Sequence, residues 1–301
     1  MRFYEFKFST ERKGEASVLS LTLIEAWFPI LSIGLVASLG ALSTYALATF
    51  LASLVFIGLL TLNGRLMRLW QNRAQFDLWM TAFWITLLFS LVFLGLQTTT
   101  AGNMAVILFL QVLFAYLYFH VLGRQPLSLF HSLGALLMMI GAILVLFPED
   151  FKLNIGDGLV LLAAMVAPIA NRFQQRARLH VDSLTLLGFR NLVAFPVLLG
   201  LAWWLEGLPD WSSIQSVWLP LLIVGVLILG LSKWLWVEAL HRISITKTSA
   251  LAAMTPLFTL VLAYFWLAEL PTWSQMLGVI PILIGGILIT RPALPPSVPN
   301  A

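Results

Sequence analysis

The sequence contains no cysteine. Disulfides and thiolate metal ligands are therefore excluded, and the redox compartment is left open. Charge is scarce too. Asp, Glu, Lys and Arg make up 10% of the residues against 60% hydrophobic, which is not the composition of a soluble globular domain. The four histidines, His120, His131, His180 and His241, fall at or near the ends of apolar runs, without the spacing of a metal-binding pair. There is no nucleophile elbow and no phosphate-cradling glycine loop. An enzyme and an ATP-driven pump within this chain are thus disfavoured, and neither a metal nor a cofactor is expected. The arginines are scattered between apolar runs and form no basic stripe, so nucleic acid is not an expected partner.

What the chain has is long apolar runs. Crossing a bilayer core takes roughly 20 helical residues. Ten runs of about that size can be read: Val18–Val36, Gly40–Leu62, Phe76–Gln97, Gly102–Leu122, Ser128–Phe147, Gly158–Phe173, Ser183–Leu205, Ser216–Leu240, Ser249–Ala268 and Trp273–Thr290. The sixth reads as shorter than the others and is interrupted by Pro168. A signal peptide cleaved after Ala46-Leu47-Ala48 competes for the first run, but the run is long and a second follows at once. The fold class expected is an all-α integral membrane protein of ten transmembrane helices. Residues 1–16 form a polar N-terminal segment and 148–157 a charged central linker. Residues 292–301 form a proline-rich tail, expected to be disordered.

Basic residues orient such a chain, because cytoplasmic loops carry the excess of lysine and arginine. With ten spans and a cytoplasmic N-terminus, the inner segments hold Arg2, Lys7, Arg12, Lys13, Arg65, Arg68, Arg73, Arg124, Arg172, Arg176, Arg178, Arg242, Lys247 and Arg291. The outer segments hold only Lys152, together with Glu149, Asp150, Asp157, Glu206, Asp210 and Glu269. Both termini are therefore expected in the cytoplasm of a cell whose inner membrane carries the protein. Twelve tryptophans suit two lipid–water interfaces.

The last two runs are hinged by Glu269-Leu270-Pro271. So tight a link predicts antiparallel neighbours. Pro256 removes a backbone donor and should bend its helix near mid-membrane. Gly278 and Gly285, seven apart, share one face and would let another helix approach closely. The first half repeats this layout. Gln111, Arg124 and Pro126 stand at one constant offset from Pro256, Glu269 and Pro271. After a one-residue deletion Gly134 and Gly141 match Gly278 and Gly285. Five helices is an odd number, so the second copy must enter from the opposite face. Residues 17–147 and 158–291 are then inverted repeats, as in many secondary transporters.

Pro256, Leu267-Ala268-Glu269 and Gly278…Gly285 resemble the EamA-type members of the drug/metabolite transporter superfamily. The resemblance extends over nearly the whole chain as two halves of five helices. The first half departs from it, with Gln111 in place of the proline and Arg124 in place of the acid. The resemblance implies export of amino acids, metabolites or drugs across a bacterial-type inner membrane by alternating access. It also implies that Pro256 borders the solute path and that the eighth helix, with Lys233, lies centrally. An uptake carrier for amines or purine-like metabolites, a channel and a membrane assembly factor are the alternatives. The partners expected are a small organic solute and the lipid bilayer, and the chain works as a monomer or homodimer.

Ionisable groups inside spans are costly and mark cavities or pairs. Glu25, Arg190 and Lys233 each lie about two turns from the inner boundary, roughly 10 Å at the helical rise. Glu25 has a short stem and is expected to be paired or cavity-lining. Lys233 is its first candidate partner and Arg190 the second, although both long side chains could instead snorkel to the interface. Gln97, Asn103, Gln111 and Asn171 are polar candidates for the solute path, and Asn191 reads as an interhelical hydrogen-bonding group. Trp27 and Trp234, close in sequence to Glu25 and Lys233, are candidates to hold an organic cation or an aromatic body.

Overall fold

A computed structural model describes residues 10–70, 73–121, 129–146, 154–243, 245, 248, 251–252 and 254–289. The expectations for residues 1–9, for the turn at Arg124 and Pro126, for the linker at Glu149, Asp150 and Lys152, and for the 292–301 tail lie outside the described residues. The described residues are all-helical, with no strand among them. The helices are α1 (Thr10–Ala26), α2 (Phe28–Leu39), α3 (Ala41–Leu62), α4 (Gln75–Gly95), α5 (Ala101–Phe109), α6 (Gln111–Tyr116) and α7 (Leu129–Leu146). They continue with α8 (Ile155–Ala177), α9 (Ser183–Leu205), α10 (Trp211–Ser216), α11 (Trp218–Leu222), α12 (Lys233–Arg242), α13 (Met254–Leu267) and α14 (Trp273–Ile289). Among the described residues, seven helical stretches are long and apolar enough to cross a membrane, α1 and α2 counting as one, and α7, α13 and α14 are shorter apolar helices.

Several boundaries differ from those read in the sequence. Helix α1 starts at Thr10, inside the segment read as polar, because its first turns pack on the end of α12: a methyl group on Gly14 would lie 3.0 Å from Arg242 Cβ. The sixth run is longer than expected. Asn154 caps α8 by accepting a hydrogen bond from Gly156 N at 2.7 Å, and the helix runs 23 residues through Pro168. The ninth is shorter. Helix α13 has 14 residues, about 21 Å at the helical rise. The bend ascribed to Pro256 is not at mid-helix. Pro256 sits in the first turn of α13, and the helix is broken four residues earlier at Ala252, to whose carbonyl a proline at 256 has no N–H to donate. At its other end α13 closes with Ala268 at φ 54°, the left-handed conformation common just past a helix end, and with a Glu269 N–H bond to Ala263 O.

The antiparallel pairs that build the bundle join distant parts of the chain. Helix α14 packs chiefly on α7 and not on its hinge partner α13, which corrects the expectation from the short link. Glycine decides this. A methyl on Gly278 would lie 2.7 Å from Gly141 O, and one on Gly285 would meet Gly134 O and lie 2.7 Å from Met138 Cγ. Helix α4 packs on α8, with Phe76 against Phe173 at one end and Gly95 against Gly156 at the other. Helix α3 packs on α9, with Phe50 and Phe195 centroids 4.9 Å apart. Helix α1 packs on α12, and α13 on α5. Phe28, Tyr45, Phe89 and Phe93 form a central aromatic cluster in which the Tyr45 and Phe93 rings stack at 5.1 Å.

Polar groups collect at the two ends of the bundle. At one end Asp182 lies 3.6 Å from Arg65 and 3.7 Å from Arg68, Arg176 lies 3.2 Å from Asp77, and Glu238 binds Arg178, Arg242 and Ser183. Burial draws the Arg178 guanidinium down from its ordinary value, and Glu238 acts in the opposite direction. At the other end Asp157 accepts hydrogen bonds from Thr99 Oγ1 and Asn103 Nδ2, and Gln275 Nε2 donates to Asn103 Oδ1 at 2.6 Å. Also at this end, Glu206 reaches the start of α3 and accepts from Leu42 N at 2.9 Å and Ser43 N at 3.0 Å. Gly40, at φ 88°, leaves it the room: a methyl there would lie 2.6 Å from Glu206 Oε2.

Candidate functional site

Proline opens the site. Pro29, in the first turn of α2, cannot donate to the carbonyl of Glu25, and the chain kinks at Trp27. The neighbouring carbonyl of Ala26 is taken up by Thr259 Oγ1 at 3.1 Å, which fastens the kink to α13. On the far wall the helix that begins at Trp218 winds as a π-helix from Ile223 to Ser232 before resuming as α12 at Lys233. Wide turns of this kind are rare and often re-aim side chains at working sites.

Between these elements lies a cavity of about 120 Å³. Its walls come from α1, α2, α4, α5 and α6 on one side of the sequence and from α8, α9, α12 and the stretch through α13 on the other. Phe28, Phe89, Phe109, Met104, Leu88 and Leu108 make most of it apolar. Glu25, Gln111, Asn171, Gln174, Arg190, Lys233 and Trp236 supply its strongest polar groups.

Two charged arrangements face this space. In the first, Lys233 Nζ lies 2.6 Å from Glu25 Oε1, and Ser232 Oγ donates to the same oxygen. The two side chains are 13% and 16% exposed, so this is a largely buried ion pair and Lys233 does not snorkel to the interface. The ammonium also sits 5.0 Å from the Phe89 centroid and 5.8 Å from that of Phe28, within cation–π range. In the second, Arg190 is 4% exposed. Its Nε donates to Asn191 Oδ1 at 3.2 Å and its Nη1 to Gln174 Oε1 at 3.5 Å. Gln174 Nε2 in turn donates to Asn171 Oδ1 at 3.0 Å, and Trp236 Nε1 donates to that same oxygen at 3.0 Å. A chain of neutral amides thus runs from Arg190 to the helix that carries Lys233.

Of the residues singled out in the sequence, the cavity gathers Glu25, Gln111, Asn171, Arg190, Lys233 and Pro256. Four lie off it. Trp27 packs edge-on against Trp266 with centroids 5.4 Å apart. Trp234 packs against the core, Gln97 is exposed at the end of α4, and Asn103 belongs to the Asp157 cluster. Sequence reading passed over Gln174 and Trp236. Both stand three residues from a residue it did choose, Asn171 and Lys233, a spacing that shares a helix face.

Residues 154–291 match the model of the EamA-like transporter family. Over 211 residues the chain is 26% identical to an uncharacterized transporter, sll1164, of Synechocystis sp., covering 66% of this chain and 60% of that protein. It is 24% identical over 197 residues to the uncharacterized transporter YoaV of Bacillus subtilis, covering 64% of this chain and 67% of that one. With an uncharacterized transporter of Methanothermobacter thermautotrophicus the identity is 30% over 222 residues, 70% of this chain and 62% of the relative. The chain thus spans about three fifths of the length of the first of these relatives. A solved crystal structure has the same fold, with a TM-score of 0.67 at 17% identity over 92% of this chain and 96% of its own. The resemblance read from Pro256 to Gly285 falls within the residues that match the family model, and the apolar helices are those of a multi-pass membrane protein.

Proposed function

We propose that this chain, whose residues 154–291 match the EamA-like transporter family, is a secondary carrier that moves a small organic solute across the inner membrane by alternating access. The observation that carries this reading is the cavity walled by helices from both halves of the chain, with a buried ion pair and an amide-held arginine inside it. An apolar pocket with a few convergent polar groups is the usual form of a small-molecule site. Export is the direction that the family resemblance implies.

The full architecture proposed is ten spans in two inverted repeats, residues 17–147 and 158–291. The helix pairing supports it. If each helix of the first half is exchanged with its counterpart in the second, α4 on α8 becomes α12 on α1, while α7 on α14, α3 on α9 and α5 on α13 return to themselves. The glycine contacts obey the same exchange: Gly141 on Gly278 becomes Gly285 on Gly134. Two halves related in this way can rock about a site on their common axis.

The test is counterflow. Purified protein would be screened for organic solutes that raise its melting temperature, and the best one loaded into proteoliposomes. A carrier gives saturable entry of labelled solute that is accelerated by unlabelled solute inside. Flux that rises linearly with concentration, with unitary currents in planar bilayers, would replace the carrier with a channel.

A further inference from the structure

The charges that line the cavity do not balance. Glu25 is the one carboxylate among its lining residues, and it is taken by Lys233 at 2.6 Å and by Ser232. Arg190 is left. Among the described residues no carboxylate pairs with it, and the one titratable group that acts on it is the Tyr45 phenol, neutral at ordinary pH. Its two hydrogen bonds go to neutral amide oxygens, one of them long at 3.5 Å. They use two of the five N–H groups of a guanidinium, which leaves Nη2 and one N–H of Nη1 available in a side chain that lines the cavity at 4% exposure. A buried cation without a counter-ion is expensive even after relaxation. Here the amides that fix its plane leave its charge whole. Elsewhere in the cavity wall, the Gln111 carboxamide has no hydrogen bond among the described residues, although the side chain is half-buried.

We infer that Arg190 is the anchor for a carboxylate of the transported solute, and that the solute is a singly charged organic anion with an apolar body. The guanidinium fork matches a carboxylate in plane and spacing. Phe28, Phe89 and Phe109 offer the rest of the molecule an apolar, aromatic-lined wall, and Gln111 offers one further donor and acceptor. The inference rests on the carrier reading, since it requires that the cavity hold the solute.

The probes are matched sets on one skeleton: phenylacetate, 3-phenylpropionate and indole-3-acetate, each with its carboxamide and with the corresponding amine. Melting temperature of the full chain in detergent is measured against each. The expected result is stabilisation by at least one acid at concentrations where its amide and amine give none. Affinity for that acid should fall by about tenfold or more in Arg190→Gln, with an intermediate loss in Arg190→Lys, which keeps charge without the fork. Stabilisation by amides or amines in place of the acids overturns the inference, as does silence of every acid. Should Arg190→Gln fail to fold, the comparison of acid with amide on the native chain still decides. Counterflow separates the two failures. Saturable exchange of a neutral or cationic solute keeps the carrier and discards the anion, whereas flux without saturation discards the carrier.

Discussion

At the scale of single residues, depth in the membrane was legible and direction around the helix was not. Counting turns from the boundary put Glu25 and Lys233 level, and they meet at 2.6 Å. The same count put Arg190 at that level too, but nothing in the sequence around it, apolar except for Asn191, says which face turns inward. Trp27 and Trp234 were chosen for closeness in sequence. One residue along a helix is a rotation of about 100°, so Trp234 is turned away from Lys233 while Trp236, three residues on, shares its face. The ion pair makes a prediction at this scale. Lys233→Met leaves a buried carboxylate without its cation and should cost about 3 kcal/mol. Glu25→Gln strands the ammonium, and the double variant should lose clearly less than the two single losses added together. Denaturation in detergent measures all three, and additive losses would show that the contact carries no coupling.

At the scale of elements, hydropathy found every helix among the described residues that spans or lines the bundle, and it missed ends. It cut α8 at Gly158, where Asn154 and Asp157 look like loop and are in fact cap and first turn. It started the first helix late for the same reason. It had no signal for the π-helical stretch from Ile223 to Ser232, since wide turns depend on packing and not on apolar period. Glycine spacing, by contrast, was informative, because in lipid close approach of backbones replaces the hydrophobic drive. Gly278→Ala should lower the melting temperature, since its methyl would lie 2.6 Å from Val145 Cγ2 and 2.7 Å from Gly141 O. Gly200→Ala, with nothing within 4 Å of its methyl, should not lower it. Equal effects of the two would separate the glycine contact from the stability of the α7–α14 crossing.

At the scale of the whole molecule, the arginines named for the inner side and found in ion pairs, Arg65, Arg68, Arg176, Arg178 and Arg242, gather at one end of the bundle. Asp157 and Glu206 mark the other. The proposed orientation puts the arginine end in the cytoplasm. In this cysteine-free chain, Leu208→Cys should react with an impermeant maleimide in intact cells, and Arg73→Cys only after the membrane is opened; the reverse pattern would invert the protein. The grip of Glu206 on Leu42 and Ser43 spans 164 and 163 positions of sequence. The chain is made from its N-terminus, so the first amides of α3 stay without this cap until the ribosome has added residue 206 and α9 has entered the membrane. The early half of the polypeptide is finished by the late half, and a nascent chain halted between them holds a helix whose end has nothing yet to hold it.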